Sequence, residues 1–331
     1  MSWRHVFRRD LISVYRSRTG TAVAALLGLS TVVVIGFAAV ADSLAVAAIG
    51  AVLTVAVVLA LVFLGSPSSI AGTITVFAIS AVTLALVLSD VEPSGEVDGA
   101  VLLVAGILSF VVPLVALVAS YGAVVGERET GSVRFLLGLP NSRDDAYAGK
   151  LCSRTGAIVA PLVVALVLTG IVVTLTVDPG SARPSGLVLM LGLALITLPY
   201  VLVFVGIGLT ASAYADSSNR AVAAVIAVFG FLRIGLPALQ EVVWALTRPP
   251  DLTASAPRPA WFFWSDRLNP INAYLQTTSL LVEGEIPIVV TPSEPVAPVA
   301  TSTAFAVVVL LGWATLAPLA GLLYFRDRDL L

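Results

Sequence analysis

The side chains able to do polar chemistry are gathered in one island, residues 126–150. Within it stand Glu127, Arg128, Glu129, Ser132, Arg134, Ser142, Arg143, Asp144, Asp145 and Lys150, with Arg154 just beyond. Between Arg18 and Arg128 the chain has no lysine or arginine at all. Enzymatic constellations cannot be built from what is present. His5 is the one histidine and Cys152 the one cysteine, so serine–histidine, cysteine–histidine and zinc-ligand patterns are absent. A lone cysteine also forbids an intramolecular disulfide. Met190 is the one methionine beyond Met1, so a soft-metal path cannot be assembled within one copy of the chain. Gly149-Lys150 hints at a phosphate loop, but Asp144 stands where its first glycine belongs and Leu151 where the metal-binding Ser or Thr belongs. Docking, rather than catalysis, is what this island can do.

The elements that must position it are membrane helices. The 331 residues are 58% hydrophobic and 11% charged, against roughly 25% charged in soluble domains. Net charge is −2, too small to imply nucleic acid as a partner. Apolar runs at about 21–41, 43–65, 69–89, 100–125, 152–177, 185–213, 219–239 and 303–325 are each long enough to span. The first is too long for a signal-peptide core, and further spans follow it. With the N-terminus inside, inward segments hold Arg4, Arg8, Arg9, Arg16, Arg18, Arg128, Arg134, Arg143, Lys150, Arg154, Arg220, Arg326 and Arg328, 13 of the 18 cations. The purely acidic link 90–99 falls outside, as cation bias requires. The expectation is an all-α polytopic plasma-membrane protein with about eight transmembrane helices and both termini cytoplasmic. The uncharged connection near 66–68 leaves a second arrangement, six spans plus a hairpin.

Around this frame the expected parts form a single transmembrane domain over 1–331. Residues 1–18 make an amphipathic interfacial helix, with Trp3, Phe7, Leu11, Val14 and Tyr15 on one face and arginines elsewhere. Segment 240–302 is the large outer region: Trp261-Phe262-Phe263-Trp264 reads as an interfacial belt, Asn269-Pro270 opens a short helix, and 287–298 is a proline-rich connector. Pro113, Pro161, Pro199 and Pro237 fall inside spans, where each frees a carbonyl and bends its helix. Arg233 also falls inside a span and is expected to snorkel outward. No cluster of buried polar groups is expected within the spans.

The island is punctuated like a bracket. Val133, Leu136 and Leu137 lie at helical spacing, and Gly138 and Pro140 close that helix. Ser142 caps the next one, whose positive first turn holds Asp144 and Asp145 and which runs through Tyr147 and Lys150 into the following span. A solvated loop needs neither an apolar stripe nor capped ends, so the pattern points to a docking helix.

At these residues the chain resembles the permease subunits of ABC-2 type transporters, a family related to the nitrous-oxide-reductase maturation permease. The resemblance rests on Tyr121, Val124, Glu127-Arg128-Glu129, Gly131-Ser132, Leu139-Pro140-Asn141-Ser142-Arg143 and Gly149-Lys150. It extends to the arginine-rich N-terminus, the Asn269-Pro270 to Tyr274 turn and the Phe325-Arg326-Asp327-Arg328-Asp329-Leu330 tail. The family usually has six spans, which makes 43–89 an inserted pair. The resemblance implies a division of labour. ATP and Mg²⁺ would sit on a separate ATPase subunit, with no cofactor or metal in this chain, and two permease chains would form the path through the lipid. The island would be the coupling helix, with Glu127, Arg128, Glu129, Gly131, Ser132, Arg134, Pro140, Ser142, Arg143 and Lys150 forming or shaping the ATPase contact. The outer re-entrant segment, about 240–283, would close the exit of an exporter. Two other readings stand beside this one: an assembly or scaffold protein that binds a cytoplasmic partner without transport, and an integral membrane enzyme acting on lipid.

Overall fold

The computed structural model describes residues 7–8, 10–12, 97–129, 142–176, 184–249, 257–282 and 296–327. The runs at 21–41, 43–65 and 69–89, the stripe at 130–138 and its closing Pro140, and the tail after 327 lie outside the described residues. Every described element is helical: α1 (Val97–Ser120), α2 (Val125–Glu129), α3 (Arg143–Thr176), α4 (Gly186–Tyr214), α5 (Ser218–Gly230), α6 (Leu236–Thr247), α7 (Ala260–Arg267), α8 (Pro270–Thr277) and α9 (Thr303–Asp327). A π-helical turn, Phe231–Gly235, joins α5 to α6, and a 3₁₀ turn, Thr278–Leu280, extends α8. Among the described residues, five long helices are apolar enough to cross a membrane: Val97–Glu129, Arg143–Leu175, Gly186–Tyr214, Ser218–Thr247 and Thr303–Arg326. They coincide with five of the expected runs, and the chain is an all-α polytopic membrane protein.

α4 is the axis of the bundle, and α1, α3 and α9 all pack along it. Its sequence is apolar on every side, as a helix surrounded by other helices or lipid must be. Close approach to α9 depends on small residues, which let backbones meet where hydrophobic driving force is absent. A methyl group on Gly206 would stand 2.6 Å from Pro318. One on Gly321 would collide with the Tyr147 hydroxyl and with Thr210. Those two hydroxyls donate to neighbouring α9 carbonyls, Tyr147 to Pro318 at 2.8 Å and Thr210 to Ala317 at 3.0 Å. Gly321 therefore clears the space in which α3, α4 and α9 are tied together.

The run at 219–239 is longer than expected, continuing as helix to Thr247. Pro237 does not end it, because the backbone takes up an extra residue just upstream. The Leu236 amide donates to Phe231 O rather than to Leu232 O. A π-type partner for Leu232 O would be residue 237, a proline with no N–H. The carbonyl is thus orphaned twice over, and Asn269 Nδ2 donates to it at 2.7 Å.

Asn269 sits at the tip of the α7–α8 hairpin, and its contacts set how deep that hairpin reaches. Tyr274 stacks on Tyr200 at a centroid distance of 4.1 Å and shares a 3.0 Å hydrogen bond with Thr197. Those two residues lie near the middle of the 29-residue α4. Trp313 Nε1 donates to Leu268 O at 2.9 Å from the middle of α9. The hairpin thus enters the bundle to about half its height, as a re-entrant segment would. Satisfying its backbone internally is what permits such a turn away from water: Asn269 Oδ1 accepts from the Ile271 amide at 3.0 Å, and Pro270 follows at the first helical position. In the aromatic quartet, Trp261 and Trp264 are exposed while Phe262 and Phe263 are buried. Half of the expected belt is therefore core.

Candidate functional site

The charged island begins at a break in a helix. Between α1 and α2, residues 121–124 form turns, and a buried break leaves backbone groups that need partners. Two side chains from other helices supply them. Ser212 of α4 accepts from the amides of Val124 and Val125 at 2.9 and 3.1 Å. Lys150 of α3 donates to Ala123 O at 2.8 Å. The bend is held from both sides.

Lys150 is also the centre of an ion cluster. Its ammonium lies 2.8 Å from Glu127 and 3.4 Å from Asp10, and its side chain is 1% exposed. Arg154, one turn further along α3, stands beside the same two carboxylates. Two cations therefore face two anions, which is the condition for keeping charge out of water. Asp10 belongs to the N-terminal helical segment, and Phe7 of the same segment lies 3.8 Å from the position of a methyl on Gly156. The N-terminal segment, α2 and α3 are thus pinned at one point.

The rest of α2 is clipped to the start of α5. Glu129 accepts from both the amide and the hydroxyl of Ser218, at 2.7 and 2.5 Å. A carboxylate at a helix start also faces the positive end of that helix. Arg128 donates to Ala215 O at 3.1 Å. Across the island, α3 starts as its sequence indicates. Ser142 Oγ accepts from the Asp145 amide at 3.0 Å and donates to the Asp145 carboxylate at 2.8 Å. This end is clamped to the last helix, with Arg326 bridging Asp144 bidentately at 2.6 and 2.5 Å and Arg143 donating to Arg326 O at 2.7 Å.

Of the expected site residues, Glu127, Arg128, Glu129, Ser142, Arg143 and Lys150 thus lie where α1–α2, α3, α5 and α9 end together. Gly131, Ser132, Arg134 and Pro140 lie outside the described residues. Sequence reasoning missed the partners Asp10, Ser212, Ser218 and Arg326. Their signal was weak, because each is a single polar residue whose mate is 87 or more positions away.

A second polar zone was not expected. At the hairpin tip Asp266 pairs with Arg267 and accepts from Asn272 Nδ2 at 2.6 Å, and all three are buried. Tyr200 donates to Ser109 O at 2.7 Å. Arg233 does not snorkel. It is 8% exposed, with its guanidinium 5.9 Å from the Phe110 ring centroid and beside Tyr200. The π-helical turn changes which side of the helix Arg233 faces, and a straight 3.6-residue repeat cannot foresee that. The buried polar cluster that was not expected is therefore present. It is built mainly from a hairpin that the hydropathy runs do not include.

A protein-family model described as ABC-2 family transporter protein matches residues 6–330. The chain belongs to this family. A comparison with curated proteins finds no match. The match covers nearly the whole chain, so the helical bundle, the bent α1–α2 joint and the hairpin all lie within the family's own domain. As an ABC-2 family protein the chain is a multi-pass membrane component of the permease kind. Such permeases are generally non-enzymatic and generally work with an ATPase subunit.

Proposed function

We propose that this chain is the transmembrane permease subunit of an ATP-driven exporter, moved by a separate ATPase that docks on the cytoplasmic island at 126–150. The observation that carries this reading is the double anchoring of the island. Its leading end, α2, is fixed to α3 and α5 through Lys150–Glu127 and Glu129–Ser218, and its trailing end is fixed to α9 through Asp144–Arg326. A force on residues between these anchors would reach four membrane helices at once, as a rigid-body switch requires.

The anchoring also sorts the roles of the island residues. Lys150, Glu127 and Glu129 are engaged within the chain, so they would set the bracket's shape. Gly131, Ser132, Arg134 and Pro140 fall between the anchors and would meet the ATPase, with Ser142 and Arg143 at the rim. ATP and Mg²⁺ would belong to that partner, and a second permease chain would complete the path. The re-entrant α7–α8 hairpin, seated between α1, α4 and α9, would stand across the outer half of that path.

The test is purification in mild detergent of the chain co-expressed with a candidate ABC-type ATPase from the same organism, followed by an ATP hydrolysis assay. A stable complex whose ATPase activity changes several-fold on reconstitution supports the reading. A chain that purifies alone, or a complex whose hydrolysis rate is the same with Arg134→Glu as without it, contradicts it.

A further inference from the structure

Arg233 is a charge without a counter-ion among the described residues. It lies close to the middle of the 30-residue span Ser218–Thr247, where an arginine is costly unless something neutralises it. Its Nη2 is buried and has no hydrogen-bond partner. The groups shown beside it, Phe110 and Tyr200, are neutral. Phe110 offers a ring face, and the Tyr200 hydroxyl already donates to Ser109 O. Asp266 is committed to Arg267 and Asn272. Leu232 O, next to Arg233, is taken by Asn269. The guanidinium is also held in place, since the π-helical turn that presents it is pinned by that same bond.

We propose that Arg233 is the anchor for an amphiphilic anion: a carboxylate or phosphate meets the guanidinium, and an apolar body is what carries such a group to the middle of a span. A guanidinium suits both anions because its fork of donors can engage two oxygens at once. That such an amphiphile is the transported cargo rests on the permease reading. The binding site itself does not.

The experiment uses the purified full chain in phosphatidylcholine nanodiscs and two photo-reactive diazirine probes, a long-chain fatty acid and a lysophosphatidate, with the methyl ester of the fatty acid as the neutral control. The charged probes are expected to label peptides of α1, α4 or the Phe231–Gly235 turn. Arg233→Gln should lower that labelling at least fivefold, while Arg233→Lys should keep more than half of it. Arg220→Gln, at an exposed ion pair with Asp216, should match wild type. Monodispersity on gel filtration shows that Arg233→Gln is folded. If Arg233→Gln is not monodisperse, competition of probe by unlabelled acid but not ester on wild type decides in its place. Phosphatidylglycerol that competes with the probe identifies a bilayer lipid as the source, and added free acid competing alone identifies a diffusible amphiphile. Equal labelling by the ester, unchanged labelling of Arg233→Gln, or no labelling of wild type above the ester would overturn the proposal. Because no ATPase is present, these results stand apart from success or failure of the coupling test.

Discussion

Lys150→Met removes the pin of the bent joint while keeping the side chain's length and most of its volume. Three contacts are lost, to Ala123 O at 2.8 Å, Glu127 at 2.8 Å and Asp10 at 3.4 Å. A hydrogen bond to a charged group nets about 1.5–3 kcal/mol, and breaking one side of a buried ion pair costs about 3–5 kcal/mol. The two figures overlap, since the contacts share one ammonium. Glu127 keeps 21% of its side chain exposed, and Arg154 remains beside both carboxylates, so the low end applies. We expect a loss of about 3 kcal/mol, read as a fall of roughly 5–10 °C in the thermal midpoint in detergent. Neutralising the one excess acid as well, with Asp10→Asn, leaves Glu127 facing Arg154 and should restore about half of it, the orphaned Ala123 carbonyl remaining. A midpoint within about 2 °C of wild type for Lys150→Met (about 1 kcal/mol or less), or a double variant with Asp10→Asn no better than the single one, would refute the reasoning.

Further expectations follow from other joints. Gly321→Ala should cost about 1–3 kcal/mol by overpacking, and adding Tyr147→Phe should recover part of that by removing the hydroxyl in its way; detergent melting curves of the three variants decide. Asn269→Leu should lose its cap and strand Leu232 O, a total of about 2–3 kcal/mol, and should raise protease sensitivity near 257–282. Glu129→Gln should change stability by less than about 1 kcal/mol, because the contact is exposed, yet lower ATPase stimulation in the reconstituted complex; an unchanged stimulation would remove Glu129–Ser218 from the coupling path.

Much of the fold was legible because membrane helices announce themselves locally. Apolar length placed five spans, and Ser142 with Asp144 and Asp145 marked the start of α3 to the residue. Asn269-Pro270 marked α8 in the same way. These signals depend on a residue and its near neighbours. The partnerships were less visible, because nothing local to Lys150 names Asp10, and nothing local to Glu129 names Ser218. The island residues could be selected, but which of them are tied to other helices needed the packing. Arg233 shows the limit most clearly. Its depth was readable from hydropathy, whereas its direction depends on a π-helical turn and on a hairpin more than thirty residues away in sequence.

Coupling through the island can be put to trial by disulfide or bifunctional cross-linking from Ser132→Cys in a Cys152→Ser background, with the co-expressed ATPase present and nucleotide added or withheld. We predict a cross-link to the ATPase whose yield changes with ATP, and none from a control variant, Thr291→Cys, in the segment proposed to lie on the opposite face. An ATPase that co-purifies but cross-links equally from both positions, or a yield indifferent to nucleotide, would contradict the account.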